Sequence, residues 1–154
     1  MEQEMEYRQK LIAEYKEAVL PLLKYLPWME QYAGKSVSKT YQGQEIGEGT
    51  LKFPVYDGTL MNFVREASKS TLMEKNYQYV FTRNHLKTHE DERKAIQKAD
   101  LKDWDLLRGI LSKYVLGGRV KGTLWNEAMQ EKLFYLILKR MKEIIEFWDQ
   151  PLYV

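Results

Sequence analysis

Few residues in this chain have the means to do chemistry. It contains two histidines and no cysteine. That rules out a thiolate nucleophile, a thiolate zinc site and a disulfide together. His85 and His89 lie four residues apart, with Glu92 three further on. On one helical face a histidine pair at this spacing chelates zinc. Thr88, however, reads as a helix cap, which leaves His85 outside the helix and points the two rings apart. No serine sits in a G-x-S-x-G elbow. Asp103 and Asp105 form a carboxylate pair that needs no explanation beyond two neighbouring surface acids. The sequence therefore names no catalytic residue, no metal ligand set and no cofactor site, and an enzyme stands only as an alternative without residues to support it.

Two glycine-rich stretches invite comparison with phosphate loops. In GGRVKGT, Gly117 to Thr123, Lys121 precedes the last glycine and no strand leads in. A P-loop places its lysine directly after that glycine, so the stretch reads as a turn between helices. Gly43 to Gly49 has no helix after it, as a dinucleotide fingerprint requires.

The distribution of charge is more informative. The net charge is +2, yet no acid occurs between Asp105 and Glu127, while Arg108, Lys113, Arg119 and Lys121 all fall there. Trp104 and Trp125 flank the gap and Tyr114 lies inside it. One reading makes the four cations contacts for nucleic acid or another anion, with Tyr114 and Trp125 as interaction aromatics. The other has the cations complement the carbonyl end of a helix, with the tryptophans in the core. Tyr77, Tyr79 and Phe81, near Lys75, Arg83 and Lys87, fit either a stacking platform or a half-buried edge strand.

The elements that must position these residues are mostly helices. Leu11, Tyr15, Ala18 and Leu22 mark an amphipathic helix over about 3–25, interrupted by Pro21 and ended by Pro27. Residues 34–58 are rich in glycine, and alternation at 37–41 and 51–55 predicts a short irregular hairpin turning at 43–49, with Pro54 at an edge. Helices follow at about 59–69, capped by Asp57 or Thr59, and at about 89–98, where Thr88 and Asp91 form a capping box. The second is polar enough to lie on the surface. Between them, residues 77–82 alternate like a strand. Asp100 caps a helix over about 101–116, which Gly117 and Gly118 end in left-handed geometry. A last helix runs from about Thr123 to Trp148, apolar on more than one side. Such a helix is either central or pairs with another chain.

Together these predict a mainly α (α+β) single domain spanning 1–154. It comprises about five helices and a small hairpin near 36–56, divided into an N-terminal helix (1–33), a glycine-rich segment (34–58) and a helical core (59–150). A composition 44% hydrophobic and 30% charged belongs to a folded protein, not a disordered one. The longest apolar run, Leu133 to Leu138, is far short of a membrane span, and the start is too acidic for a signal peptide. The expected location is the cytoplasm, with no membrane contact.

The segments FPVYDGTLMNFV, NYQYVFTRNHLKTHEDERKAI and LRGILSKYVLGGRVKGTLW resemble an uncharacterised bacterial family of small helical proteins associated with mobile genetic elements of gut bacteria. The resemblance spans about residues 20–150. It implies a helical fold and a cytoplasmic bacterial setting, and it brings no functional residues with it. The expected role is a small protein-interaction or regulatory module without catalysis, its partner another protein or a second copy. The alternative is weak nucleic-acid or anion binding through 108–121.

Overall fold

The computed structural model describes residues 2–35, 38–41 and 53–149. The order of elements is α1 (Glu2–Leu23), α2 (Leu26–Tyr32), β1 (Ser38–Tyr41), β2 (Phe53–Tyr56), α3 (Gly58–Lys69), α4 (Tyr77–Arg83), α5 (His89–Lys98), a 3-10 turn (Leu101–Asp103), α6 (Trp104–Gly117), α7 (Leu124–Gln130) and α8 (Leu133–Trp148). The helical class agrees with the sequence. The number of helices does not, since eight α-helices occur among the described residues instead of about five. Strands β1 and β2 pair antiparallel, Ser38 opposite Tyr56 and Tyr41 opposite Phe53. The turn expected at 43–49 lies outside the described residues. No helix among the described residues is long and apolar enough to cross a membrane.

Local chemistry sets most boundaries. Asp57 accepts from the Thr59 backbone N–H at 2.7 Å and starts α3. Thr88 and Asp91 form the reciprocal capping box at α5, and Asp100 with Asp103 forms another before α6. In α1, Pro21 falls in the last turn. Pro27 opens α2 instead of ending a helix, because a proline in a first turn gives up no intrahelical bond.

The remaining corrections to the sequence reading have tertiary causes. Residues 77–83 are helical, not a strand. Val80 of α4 seats on Gly109 of α6, where an added Cβ would come within 2.6 Å of Val80 Cγ1. Tyr77, Val80 and Phe81 are thus an i, i+3, i+4 helical set, and the alternation of Tyr77, Tyr79 and Phe81 is coincidental. The expected helix from Thr123 to Trp148 is broken at Lys132, which has φ 66°. In an unbroken helix the Met129 carbonyl would accept from Leu133. Instead it accepts from Lys132 at 3.1 Å and from Gly34, beyond α2, at 2.9 Å. Gly118 ends α6 with right-handed angles, φ −65°. Its lack of a side chain serves close approach, because the Trp125 indole lies where a Cβ would stand.

Helix α8 is the centre of the bundle. Leu133, Phe134, Ile137, Leu138, Met141, Ile144 and Ile145 are buried, against α1, α2, α5, α6 and α7. Most of its apolar surface is covered within the chain, but Phe147 near its end stays exposed. Tyr15 stacks on Trp104 at 4.3 Å between centroids. Phe134 meets Phe63 and Tyr114 edge-on. Helix α5 is not wholly superficial, because Glu92 and Ile96 are buried on its inner side.

Candidate functional site

The four cations that are neighbours in sequence have different surroundings. Arg108 turns inward. Its guanidinium donates to the carbonyls of Thr71, Leu72 and Met73 at 3.1–3.2 Å and pairs with Asp105 at 2.9 Å. One turn on, the Ser112 hydroxyl accepts from the Glu74 backbone N–H at 2.8 Å. Arg108 and Ser112 thereby fasten the segment that leads into α4. Arg119 and Lys121 are exposed in the turn after α6. Lys113 faces α4, with its ammonium 4.5 Å from the Phe81 ring centroid. The two aromatics are internal or engaged. Tyr114 is fully buried, and the Trp125 indole donates to the Val115 carbonyl at 3.1 Å.

Tyr114 belongs instead to a polar seam, buried at Tyr114 and Glu92 and part-exposed at His89 and Glu127, that joins α5, α6 and α7. Its hydroxyl donates to Glu92, 2.8 and 3.0 Å from the two carboxylate oxygens. Glu92 is 2% exposed and also meets His89 Nδ1 at 2.8 Å. The other ring nitrogen, Nε2, is 2.7 Å from Glu127. The imidazole ring thus bridges the two carboxylates, one at each nitrogen. Arg93 pairs with Glu131 at 2.7 Å beside them. Burial first, and then the Glu92 charge, push the Tyr114 phenol far above its ordinary range, so it remains a neutral donor. The cluster is therefore internally satisfied and ties α7 to α5. The His89–Glu92 spacing was visible in the sequence, but the arrival of Tyr114 and Glu127 was not. His85 stands apart, exposed with φ 55°. Among the described residues no three His, Asp or Glu side chains gather as a metal-binding group.

An open groove of about 710 Å³ lies at the far end of the bundle, between the first turns of α1, the 3-10 turn and the end of α8. Leu11, Leu101 and Trp148 line it, together with Tyr7, Arg8 and Lys102. The Trp148 indole donates to Asp100 at 3.0 Å, which fixes the ring. The Arg8 guanidinium lies 4.8 Å over that ring. Hydrogen bonds from the indole and from the Leu101 backbone hold the Asp100 carboxyl below the usual carboxylate range. Tyr7 and Phe147 remain 67% and 66% exposed, and Phe147 meets Trp148 edge-on at 5.3 Å.

Residues 15–147 match the model of a family of unknown function, DUF6508. The chain belongs to this family. Neither a curated protein nor a solved structure matches it. The family carries no assigned activity.

Proposed function

We propose that this member of DUF6508 is a small protein-interaction module whose recognition surface is the groove between α1 and the end of α8. The observation that carries this reading is that Tyr7, Leu11, Leu101 and Trp148 line one groove, with exposed Phe147 edge-on to Trp148 beside it. Single exposed apolar side chains are ordinary on any protein, whereas contiguous ones mark binding surfaces. Tryptophan, tyrosine and arginine are also the residues that dominate binding energy at interfaces.

The charges at the rim specify the occupant. Asp100 is already engaged by Trp148 and the Leu101 N–H. Arg8 and Lys102 form no close ion pair among the described residues; Lys102 acts on the Asp100 charge from a distance, and Glu4 is the other acid that lines the groove. The groove therefore suits a partner segment that inserts a bulky apolar side chain beside Trp148 and offers a carboxylate to Arg8 and Lys102.

Selection of displayed random peptides against the chain tests this. Enriched peptides should pair an aromatic or large aliphatic residue with nearby acids, and should lose binding when Leu11→Glu puts a charge in the groove. Peptides indifferent to Leu11→Glu, or no enrichment, would reject the reading. A dimer in light scattering that Phe147→Glu dissociates would make the occupant a second copy instead.

A further inference from the structure

We propose that a second cleft, between α4 and α6, binds a small organic anion, a flat apolar ring carrying a carboxylate or phosphate head. Positions 109, 113 and 117 recur every four residues and so share one face of α6. Two of them are glycines. Gly109 lets α4 sit close through Val80. At Gly117 the missing side chain leaves a floor where a Cβ would come within 2.9 Å of Leu124 Cδ1 and 3.9 Å of the Tyr77 hydroxyl. Lys113 lies between the glycines. The resulting cleft has a volume of about 440 Å³ and is lined by Tyr77, Gln78, Phe81, Lys113 and Leu124 among others, with no acidic residue. That volume is within the range of small-molecule pockets, roughly 300–1,000 Å³.

The head group follows from Lys113. Its side chain is 36% exposed and its nearest carboxylate oxygen, on Glu92, is 3.7 Å away. That is an ion pair but too long for a hydrogen bond. The ammonium otherwise faces the rings of Phe81 and Tyr114, at 4.5 and 5.1 Å, which stabilise a cation without accepting a conventional hydrogen bond. Three N–H donors thus stand at the edge of a cleft with no protein acceptor among the described residues. Glu92 is already held by Tyr114 and His89 and does not neutralise Lys113 alone. An anion in the cleft supplies the missing acceptor. The body of the ligand follows from Tyr77 and Phe81, aromatic residues that suit a flat apolar ring. The Gln78 amide adds a neutral polar group at the exposed side.

Amide chemical-shift titrations with benzoate, phenyl phosphate and inorganic phosphate test the proposal. The two ring-bearing probes should shift the amides of Phe81, Lys113 and Gly117 saturably, and the tighter of them assigns the head group. Inorganic phosphate, without a ring, should bind at least tenfold more weakly. Lys113→Met should weaken the better probe by about tenfold, the usual effect of losing a charged hydrogen-bond donor, while Lys142→Met on the exposed side of α8 leaves it unchanged. Gln78→Glu, an exposed change that leaves the α4–α6 packing alone, should weaken binding by repulsion. Lack of saturable shifts, equal binding of inorganic phosphate, or binding indifferent to both Lys113→Met and Gln78→Glu would overturn the proposal. The interaction reading of the α1–α8 groove is unaffected by either result.

Discussion

Replacing Tyr114 by Phe removes a single oxygen atom from the middle of the bundle and leaves the ring against Phe134. That oxygen donates to the Glu92 carboxylate, at 2.8 and 3.0 Å, and Glu92 is 2% exposed. Water is therefore poorly placed to replace it. A hydrogen bond to a charged group contributes about 1.5–3 kcal/mol, and an orphaned buried acceptor costs a similar amount. His89 still reaches Glu92 at 2.8 Å, so the carboxylate is not abandoned and the lower half of the range applies. We expect Tyr114→Phe to destabilise the fold by about 2 kcal/mol. For a domain of this size that lowers Tm by roughly 4–8 °C. Urea denaturation followed by far-UV circular dichroism measures the difference. The same substitution in a Glu92→Gln background should cost clearly less, because the charge that needed the donor is gone. A loss below about 0.5 kcal/mol, or an equal loss in both backgrounds, would refute the view that the phenol supports the buried carboxylate.

Three further outcomes follow from the geometry. Gly109→Ala puts a methyl against Val80 and should cost about 1–3 kcal/mol by overpacking. Adding Val80→Ala should recover part of that loss, and a pair of losses that simply add in chemical denaturation would contradict the seat between α4 and α6. Lys132→Gly relieves the left-handed strain between α7 and α8 and should raise stability by up to about 1 kcal/mol, whereas a lower denaturation midpoint would show that the lysine side chain does more than its backbone costs. Asp100 has a folded pKa below its ordinary 3.8, so its contribution is complete above that value and is lost as pH falls through the lower folded value. Asp100→Asn should therefore flatten the acid limb of the stability profile below about pH 4, and an unchanged slope would contradict the Trp148 hydrogen bond.

What could be read from the sequence is what local chemistry decides. Asp57, Thr88 with Asp91, and Asp100 each satisfy backbone donors a few residues away, so the starts of α3, α5 and the turn before α6 are written in short spacings. The broad apolar stripe at 133–148 announced a central helix for the same reason. What could not be read depends on residues distant in the chain. The break before α8 needs the Gly34 N–H on the Met129 carbonyl, and α4 needs Gly109 beneath Val80. The candidate sites divide in the same way. Arg108, Lys113, Arg119 and Lys121 were found as neighbours in sequence, but the carbonyls of residues 71–73 claim the first. Only α6's facing helix gives Lys113 a cleft. The α1–α8 groove escaped notice because Tyr7 and Trp148 come from opposite ends of the chain, and nothing local marks either as one wall of a shared surface.

The central claim is that the α1–α8 groove receives an apolar side chain from a partner. Intermolecular nuclear Overhauser effects in a complex with the best selected peptide test it most directly. The peptide's aromatic or aliphatic anchor should show them to the Trp148 indole and the Leu11 methyls. Contacts confined to the α4–α6 cleft or to the face bearing Arg119 and Lys121, with none to Trp148 and Leu11, would contradict the account.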